Sequence, residues 1–249
     1  DYDQRLLVNK ILDIVEYCKK NFTYKSTSFL DPMQQKIVEE LLDCERDIGY
    51  QFEGGIQNSE RKLCIIYHED IDLEQVEVMY EILEISWYNK GSKKPTHRDF
   101  LGSLMGSGIK RETIGDILLQ EEMAYVVCTK EISDYILYNL DRVGSLPVKL
   151  KIAENVNVTE EKEEVLNVTV ASLRLDSIIS VGFRISRTKA AELIKSGKVR
   201  INWEEKELIS KTIKQGDVIS IRGKGRIILD EITGNTKKDR TKITIRKFV

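Results

Sequence analysis

The sequence predicts an α+β protein of more than one domain, and three observations carry that reading. Segments with apolar residues at helical spacing follow segments that alternate apolar and polar residues, so both periods run through the chain. Its 249 residues exceed one ordinary domain. The charge also divides: residues 1–170 hold 20 Lys+Arg against 32 Asp+Glu, and residues 171–249 hold 19 against 9. A net charge of −2 therefore conceals a balance of −12 followed by one of +10. These breaks give a small N-terminal α/β region (1–72), a middle domain (73–154), a linker (155–167) and a basic C-terminal domain (168–249).

Leu7, Ile11, Ile14, Val15 and Cys18 predict an amphipathic helix over residues 3–20. Asp31-Pro32 reads as a cap and first helical position, with Ile37, Val38, Leu41 and Leu42 lining one face behind it. A turn at Gly54-Gly55 and a strand at Lys62–Tyr67 close the region. Between Val76 and Tyr88, Leu83, Ile85 and Trp87 alternate as a strand, although Leu73, Val76, Tyr80 and Leu83 fit a helical stripe too. Phe100, Leu101, Leu104 and Met105 mark a helix after Thr96. Ile114–Leu119 and Met123–Cys128 form a hairpin around Gln120-Glu121-Glu122; Glu131–Val143 is a helix and Leu146–Ile152 a strand. The order β-α-β-β-α-β is the ferredoxin-like pattern of RNA-recognition (RRM-like) domains and of many enzymes. Asn155–Glu164 is acidic, has no long apolar run, and reads as linker.

In the basic domain, Leu175, Ile178, Ile179 and Gly182 make a first helix ending at the glycine. Ser186 caps a second, with Ala190, Leu193 and Ile194 inward and Gly197 closing it. Strands follow at Val199–Asn202, Asp217–Arg222, Ile227–Ile232 and Thr241–Phe248.

The charged fraction of 32% and mean hydropathy of −0.32 describe a well-solvated composition, the 41% hydrophobic share is large enough to build cores and argues against wholesale disorder, and no apolar run approaches the 18 residues of a membrane helix. With no signal-peptide core at the N-terminus, a cytoplasmic protein without membrane contact is expected. Cys18, Cys44, Cys64 and Cys128 lack a CxxC pairing and read as reduced, buried thiols; His68 and His97 have no partner at ligand spacing, so neither metal nor other cofactor is expected. His97-Arg98-Asp99 imitates a kinase loop, but the later asparagine, glycine-rich loop and DFG are missing, and Thr96 with Asp99 fits a capping box. Gly102, Gly106 and Gly108 are not followed by GK[ST]. His97, Arg98, Lys110 and Arg111 read equally as phosphate contacts and as solvated surface. Trp87, Tyr88 and Tyr125 offer stacking surfaces, with core packing favoured for Trp87; an aromatic-rich RNP1 is missing.

Arg174-Leu175-Asp176, Gly182-Phe183, Ser186-Arg187, Ala190, Leu193-Ile194, Gly197, Val199, Asn202, Gly216-Asp217 and Arg222-Gly223-Lys224-Gly225-Arg226 together resemble the S4 (αL-type) RNA-binding domain. The resemblance implies an RNA surface of Arg174, Arg184, Ser186, Arg187, Lys189, Lys195, Lys198, Arg200, Asn202, Arg222, Lys224 and Arg226. Lys237, Lys238 and Lys247 read equally as RNA contacts and as solvated side chains. Trp203 departs from the family's glycine after Asn202. Upstream, Phe29-Leu30-Asp31-Pro32, Gly54-Gly55, Ser59-Glu60-Arg61-Lys62, His97-Arg98-Asp99-Phe100-Leu101-Gly102, Gly108-Ile109-Lys110-Arg111 and Ile114-Gly115-Asp116-Ile117 resemble the YlmH family, bacterial proteins that join an RRM-like to an S4 domain. That likeness covers essentially the whole chain.

The resemblance implies a noncatalytic protein that docks on structured ribosomal or transfer RNA at the ribosome, in translation or its quality control, with a link to cell division and no small-molecule substrate. An RNA-modifying enzyme using the S4 domain for docking, or an adaptor whose acidic first 170 residues hold a protein, are the alternatives. Asp176 reads as a first-turn acid or ion-pair partner. Arg187, off the apolar stripe, is expected to fork onto phosphate and to tolerate reversal to Glu together with Lys198 without loss of fold.

Overall fold

Helix α1 (Tyr2–Asn21) turns Ile11, Val15 and Cys18 inward on one stripe. Strand β1 (Tyr24–Ser26) leads to Asp31, whose carboxylate accepts from the Gln34 N–H while the Gln34 side chain accepts from the Asp31 N–H. That reciprocal cap starts α2 (Pro32–Leu42). Strands β2 (Ile48–Glu53) and β3 (Leu63–His68) complete an antiparallel sheet of order β1-β3-β2. The structure is a computed structural model describing residues 2–88, 94–154, 156, 163–205, 207–236 and 240–248. It forms two compact units, residues 1–159 and 160–249.

The middle of the chain is a five-stranded antiparallel sheet of β4 (Tyr80–Trp87), β5 (Ile114–Leu119), β6 (Met123–Thr129), β7 (Arg142–Val143) and β8 (Leu146–Ile152), in the order β5-β6-β4-β8-β7. Helices α3 (His97–Gly106) and α4 (Lys130–Asn139) cross one face. The ambiguous stretch before Tyr88 is a strand because β4 sits centrally, paired with β6 and β8, so backbone pairing on both sides outweighs the helical stripe. The expected helix through Val143 stops at Asn139, since Arg142 and Val143 pair with Pro147 and Leu146 instead. On the helix side, Leu83, Ile85, Trp87, Val126 and Cys128 pack with Phe100, Leu104 and Ile136.

The opposite face is covered as well. Val127 is fully buried with Phe29, Leu63 and Ile65 of the N-terminal sheet, and Tyr67, Tyr80 and Ile82 join the cluster. Gly55 and Gly115 permit this approach: an added Cβ would lie 2.8 Å from the Tyr80 ring at the first and 2.8 Å from the Phe29 ring at the second. The regions read from sequence as 1–72 and 73–154 thus share one compact unit.

In the second unit, β9 (Glu163–Val170), α5 (Leu175–Gly182), α6 (Arg187–Lys195), β10 (Val199–Ile201), β11 (Glu204–Glu205), β12 (Val218–Ile221), β13 (Gly225–Asn235) and β14 (Thr241–Phe248) follow in turn. The six strands form one antiparallel sheet in the order β11-β10-β12-β13-β14-β9. Its inward Ile219, Ile227, Leu229 and Ile245 meet Ile178, Ile179, Ala190 and Ile194 of the helices. A Cβ at Gly182 would stand 2.5 Å from Ile227 Cδ1, so α5 sits close against the sheet where the sequence pattern ends it.

Residues 163–167 correct the expected linker. They are the first part of β9, which pairs with β14 from Glu163↔Phe248 to Val170↔Thr241. Leu166, Val168 and Val170 alternate toward the core, and acidic residues are compatible with an edge strand open to water. Except for residue 156, the expected linker before residue 163 lies outside the described residues, as do Lys237 and Lys238.

Candidate nucleic-acid interface

The helix pair of the second unit places the sequence-predicted cations in three settings. At the start of α5, Asp176 is 5% exposed and takes hydrogen bonds from two arginines. Arg174 Nε donates to Oδ1 at 3.0 Å, and Arg187 donates to Oδ2 from Nη2 at 2.6 Å and Nε at 3.2 Å. Burial alone would raise the carboxyl, but the bonds from Arg187 and then Arg174 outweigh it and hold Asp176 below the usual carboxylate range. The ion-pair reading of Asp176 is therefore correct. Arg187, expected to bear reversal to Glu with the fold intact, is the partner of this buried carboxylate, which the reversal would leave beside a second anion.

A second group is engaged locally. Arg184, at φ 53 between the helices, pairs with Glu164, and Lys247 approaches the same carboxylate at 3.8 Å. Ser186 Oγ accepts from the Lys189 N–H at 3.1 Å as the cap of α6, and Lys189 Nζ bonds Glu192 at 2.8 Å. Asn202 and Trp203, at φ 49 and 67, form the two-residue link from β10 to β11. The Asn202 side chain donates to Asp217 Oδ1 at 2.9 Å and accepts from the Val218 N–H at 2.9 Å, so it holds the hairpin. Trp203 keeps the left-handed conformation that its family glycine would favour, and the turn survives the departure. Arg226 lies 4.4 Å over the Phe248 ring, and burial lowers its pKa.

The third group is open. Lys195, Lys198, Arg222 and Lys224 are exposed and make no side-chain hydrogen bond or ion pair among the described residues. They gather where α6 ends, β10 begins and the β12–β13 hairpin turns, because Val199 pairs with Ile221 and the Arg222 N–H donates to the Lys198 carbonyl at 3.0 Å. Gly223 and Gly225, at φ 82 and 91, make that turn. Arg200 faces outward between buried Val199 and Ile201.

In the first unit, the second candidate set separates. Arg98 and Lys110 are exposed. Arg111 instead donates to the Ile114 and Gly115 carbonyls at 2.5 and 3.2 Å. Beside it, Arg61 donates from Nε to the Ile114 carbonyl at 3.1 Å and from Nη2 to the Phe29 carbonyl at 2.6 Å. Asp116 accepts from the Glu60 and Arg61 N–H groups at 2.5 and 3.2 Å. Desolvation lowers the pKa of Arg111, to about 10, and raises that of Asp116. His97 is also lowered, first by desolvation and then by Arg111. This cluster fastens the N-terminal segment to β5, a role for Arg61 and Asp116 that spacing does not reveal because their motifs lie 55 residues apart. The expected cap is present: Thr96 and Asp99 bond reciprocally at the start of α3.

Two other expectations change. Tyr125 is 3% exposed, so it stacks nothing outside the protein; Trp87, at 6%, packs on Phe100 with centroids 5.7 Å apart. Cys44 is exposed, while Cys18, Cys64 and Cys128 are buried as expected. Among the described residues, no three His, Cys, Asp or Glu side chains gather as metal ligands, and no helix is long and apolar enough to cross a membrane.

Comparison with known proteins places two domains on this framework. A family described as "Putative RNA-binding domain in YlmH" matches residues 74–157, and the S4 domain matches residues 173–219. The chain is 32% identical over 247 residues to "Ribosome-associated protein quality control protein P2" of Bacillus subtilis (strain 168), spanning 98% of this chain and 95% of the relative. It is 35% identical over 74 residues to small ribosomal subunit protein uS4 of Thermoanaerobacter sp. (strain X514), covering 27% of this chain and 36% of that one. Among solved structures, "Cell division protein ylmH from Streptococcus pneumoniae" shares the fold, with a TM-score of 0.53 and 21% identity over 61% of this chain and 92% of that one.

Proposed function

Because the chain belongs to the YlmH family, with its RNA-binding and S4 domains, we propose that it is a noncatalytic, cytoplasmic protein that docks on structured ribosomal or transfer RNA in ribosome-associated quality control. The observation that carries this reading is the open quartet Lys195, Lys198, Arg222 and Lys224 in the S4 region. Four uncompensated cations at one end of a sheet favour a polyanion, and each side chain is free to meet phosphate without breaking an internal bond. The balance of +10 over residues 171–249 extends the same field. Arg200 flanks the quartet, whereas Ser186, Asn202 and Arg226 serve the surface by shaping it.

The middle domain is best read as RRM-like, from its β-α-β-β-α-β order with the first and third strands central. Its sheet is partly sealed by the N-terminal segment. RNA contact from this unit therefore belongs to exposed edges such as Arg98 and Lys110 rather than to stacked bases on the sheet. A link to cell division completes the reading, in keeping with the name carried by the pneumococcal family member.

The test is charge reversal of Lys198 and Arg222 to Glu together in the full chain. Neither side chain has an internal partner among the described residues, so the melting temperature should stay at the parental value while co-sedimentation with ribosomes is lost. A folded double variant that still sediments with ribosomes at moderate salt would overturn the reading.

A further inference from the structure

We propose that Asp176 is a positioning residue for RNA phosphate, its two carboxylate oxygens holding Arg174 and Arg187 as a paired guanidinium clamp. The inference rests on the reading of the C-terminal unit as an RNA surface. A guanidinium presents five N–H donors in a fixed plane. Arg187 commits Nε and one Nη2 donor to Oδ2, and Arg174 commits Nε to Oδ1. Arg187 keeps its Nη1 donors and one on Nη2, and Arg174 keeps the donors of both Nη groups. Nη1 of Arg187 and both Nη groups of Arg174 make no hydrogen bond among the described residues.

Exposure points the same way. The Asp176 side chain is 8% exposed, against 41% for Arg174 and 54% for Arg187, so the anion lies behind the two cations. Two positive charges on one negative leave the cluster with an excess of one. A phosphodiester meeting the outer edges finds donors already oriented, because the rotamers of two long side chains are fixed before binding.

A purely structural ion pair would have a different signature. Removing a carboxylate from a surface that binds a polyanion tightens binding through Coulomb attraction alone, whereas losing an orienting group weakens it. The sign of the change separates the two roles. The experiment measures binding of the full chain to deproteinised ribosomal RNA across a salt series, for the parent, Asp176→Asn, Arg187→Lys and the Lys198→Glu/Arg222→Glu double variant, with melting temperatures alongside.

Asp176→Asn is expected to bind about tenfold more weakly despite the lost negative charge, with a shallower salt slope, since each phosphate contact contributes about 0.7 to 0.9. Arg187→Lys keeps the charge and the ion pair and should fold like the parent, yet it lacks a second donor edge and should also bind more weakly. It therefore decides the matter even if Asp176→Asn folds poorly. Parental or tighter binding by Asp176→Asn, or parental binding by Arg187→Lys, overturns the proposal provided the double variant is weakened. If the double variant also binds like the parent, the RNA-surface reading falls, and the clamp with it.

Discussion

Arg187 and Lys198 both read from the sequence as phosphate-contacting cations that the fold could spare, and the structure separates them by what each side chain touches. Lys198 meets no partner among the described residues, whereas Arg187 neutralises a carboxylate that is 5% exposed. Arg187→Glu should therefore destabilise the fold by about 2 kcal/mol or more, leaving Asp176 half-paired beside a second anion. Lys198→Glu should stay within about 0.5 kcal/mol, as exposed sites do; urea midpoints compare the two. Asp176 itself adds an acid limb. Its folded pKa lies below the unfolded value, so its contribution is complete above the ordinary carboxylate range and is lost as pH falls through the depressed value. Asp176→Asn should flatten that loss in urea midpoints measured from pH 6 to 2. The thiols divide similarly: burial pushes Cys64 and Cys128 up to about 12, and Cys44 alone is exposed. Iodoacetamide should label one thiol in the native protein and four after denaturation, as intact mass will read directly.

At the scale of elements, legibility followed the strength of local signals. The caps at Asp31, Thr96 and Ser186 were readable because a short polar side chain before an apolar stripe satisfies orphan N–H groups within its own segment. Strands β1, β2 and β11 were not readable. Two of them are three residues or fewer, and β2 carries Gly49, which makes room for the Tyr67 ring of its neighbour. The β10–β11 hairpin hangs on Asn202, which tolerates a positive φ and contributes two hydrogen bonds. Asn202→Ala should cost about 2 kcal/mol, combining backbone strain with two lost bonds. Asn202→Gly removes the strain and should cost less; thermal unfolding of both variants checks the order.

Within the first unit, the N-terminal segment and the middle sheet are held by apolar packing and by the Arg61, Arg111 and Asp116 cluster. Gly115→Ala would bring a Cβ within 2.8 Å of the fully packed Phe29 ring, and overpacking of this kind costs about 1–3 kcal/mol. Differential scanning calorimetry of the full chain should show a lower transition temperature. Across the whole molecule, the charge asymmetry predicts steep salt dependence of RNA binding, with a log–log slope of about −0.7 to −0.9 per phosphate neutralised. A flat response would favour the protein-adaptor alternative.

What the sequence alone determined was everything set by short-range pattern: the α+β class, most helices and long strands, the split in charge, and the S4 and YlmH resemblances. Periodicity and capping act over a few residues and leave their trace in order along the chain. The tertiary structure decided which cations are open. Asp176 and Arg187 are 11 positions apart, Asp116 and Arg61 55, and Arg184 and Glu164 20. An ion pair requires only that its side chains meet in space, so composition counts Arg187 and Lys198 alike while folding binds one to a buried carboxylate and leaves the other to the solvent.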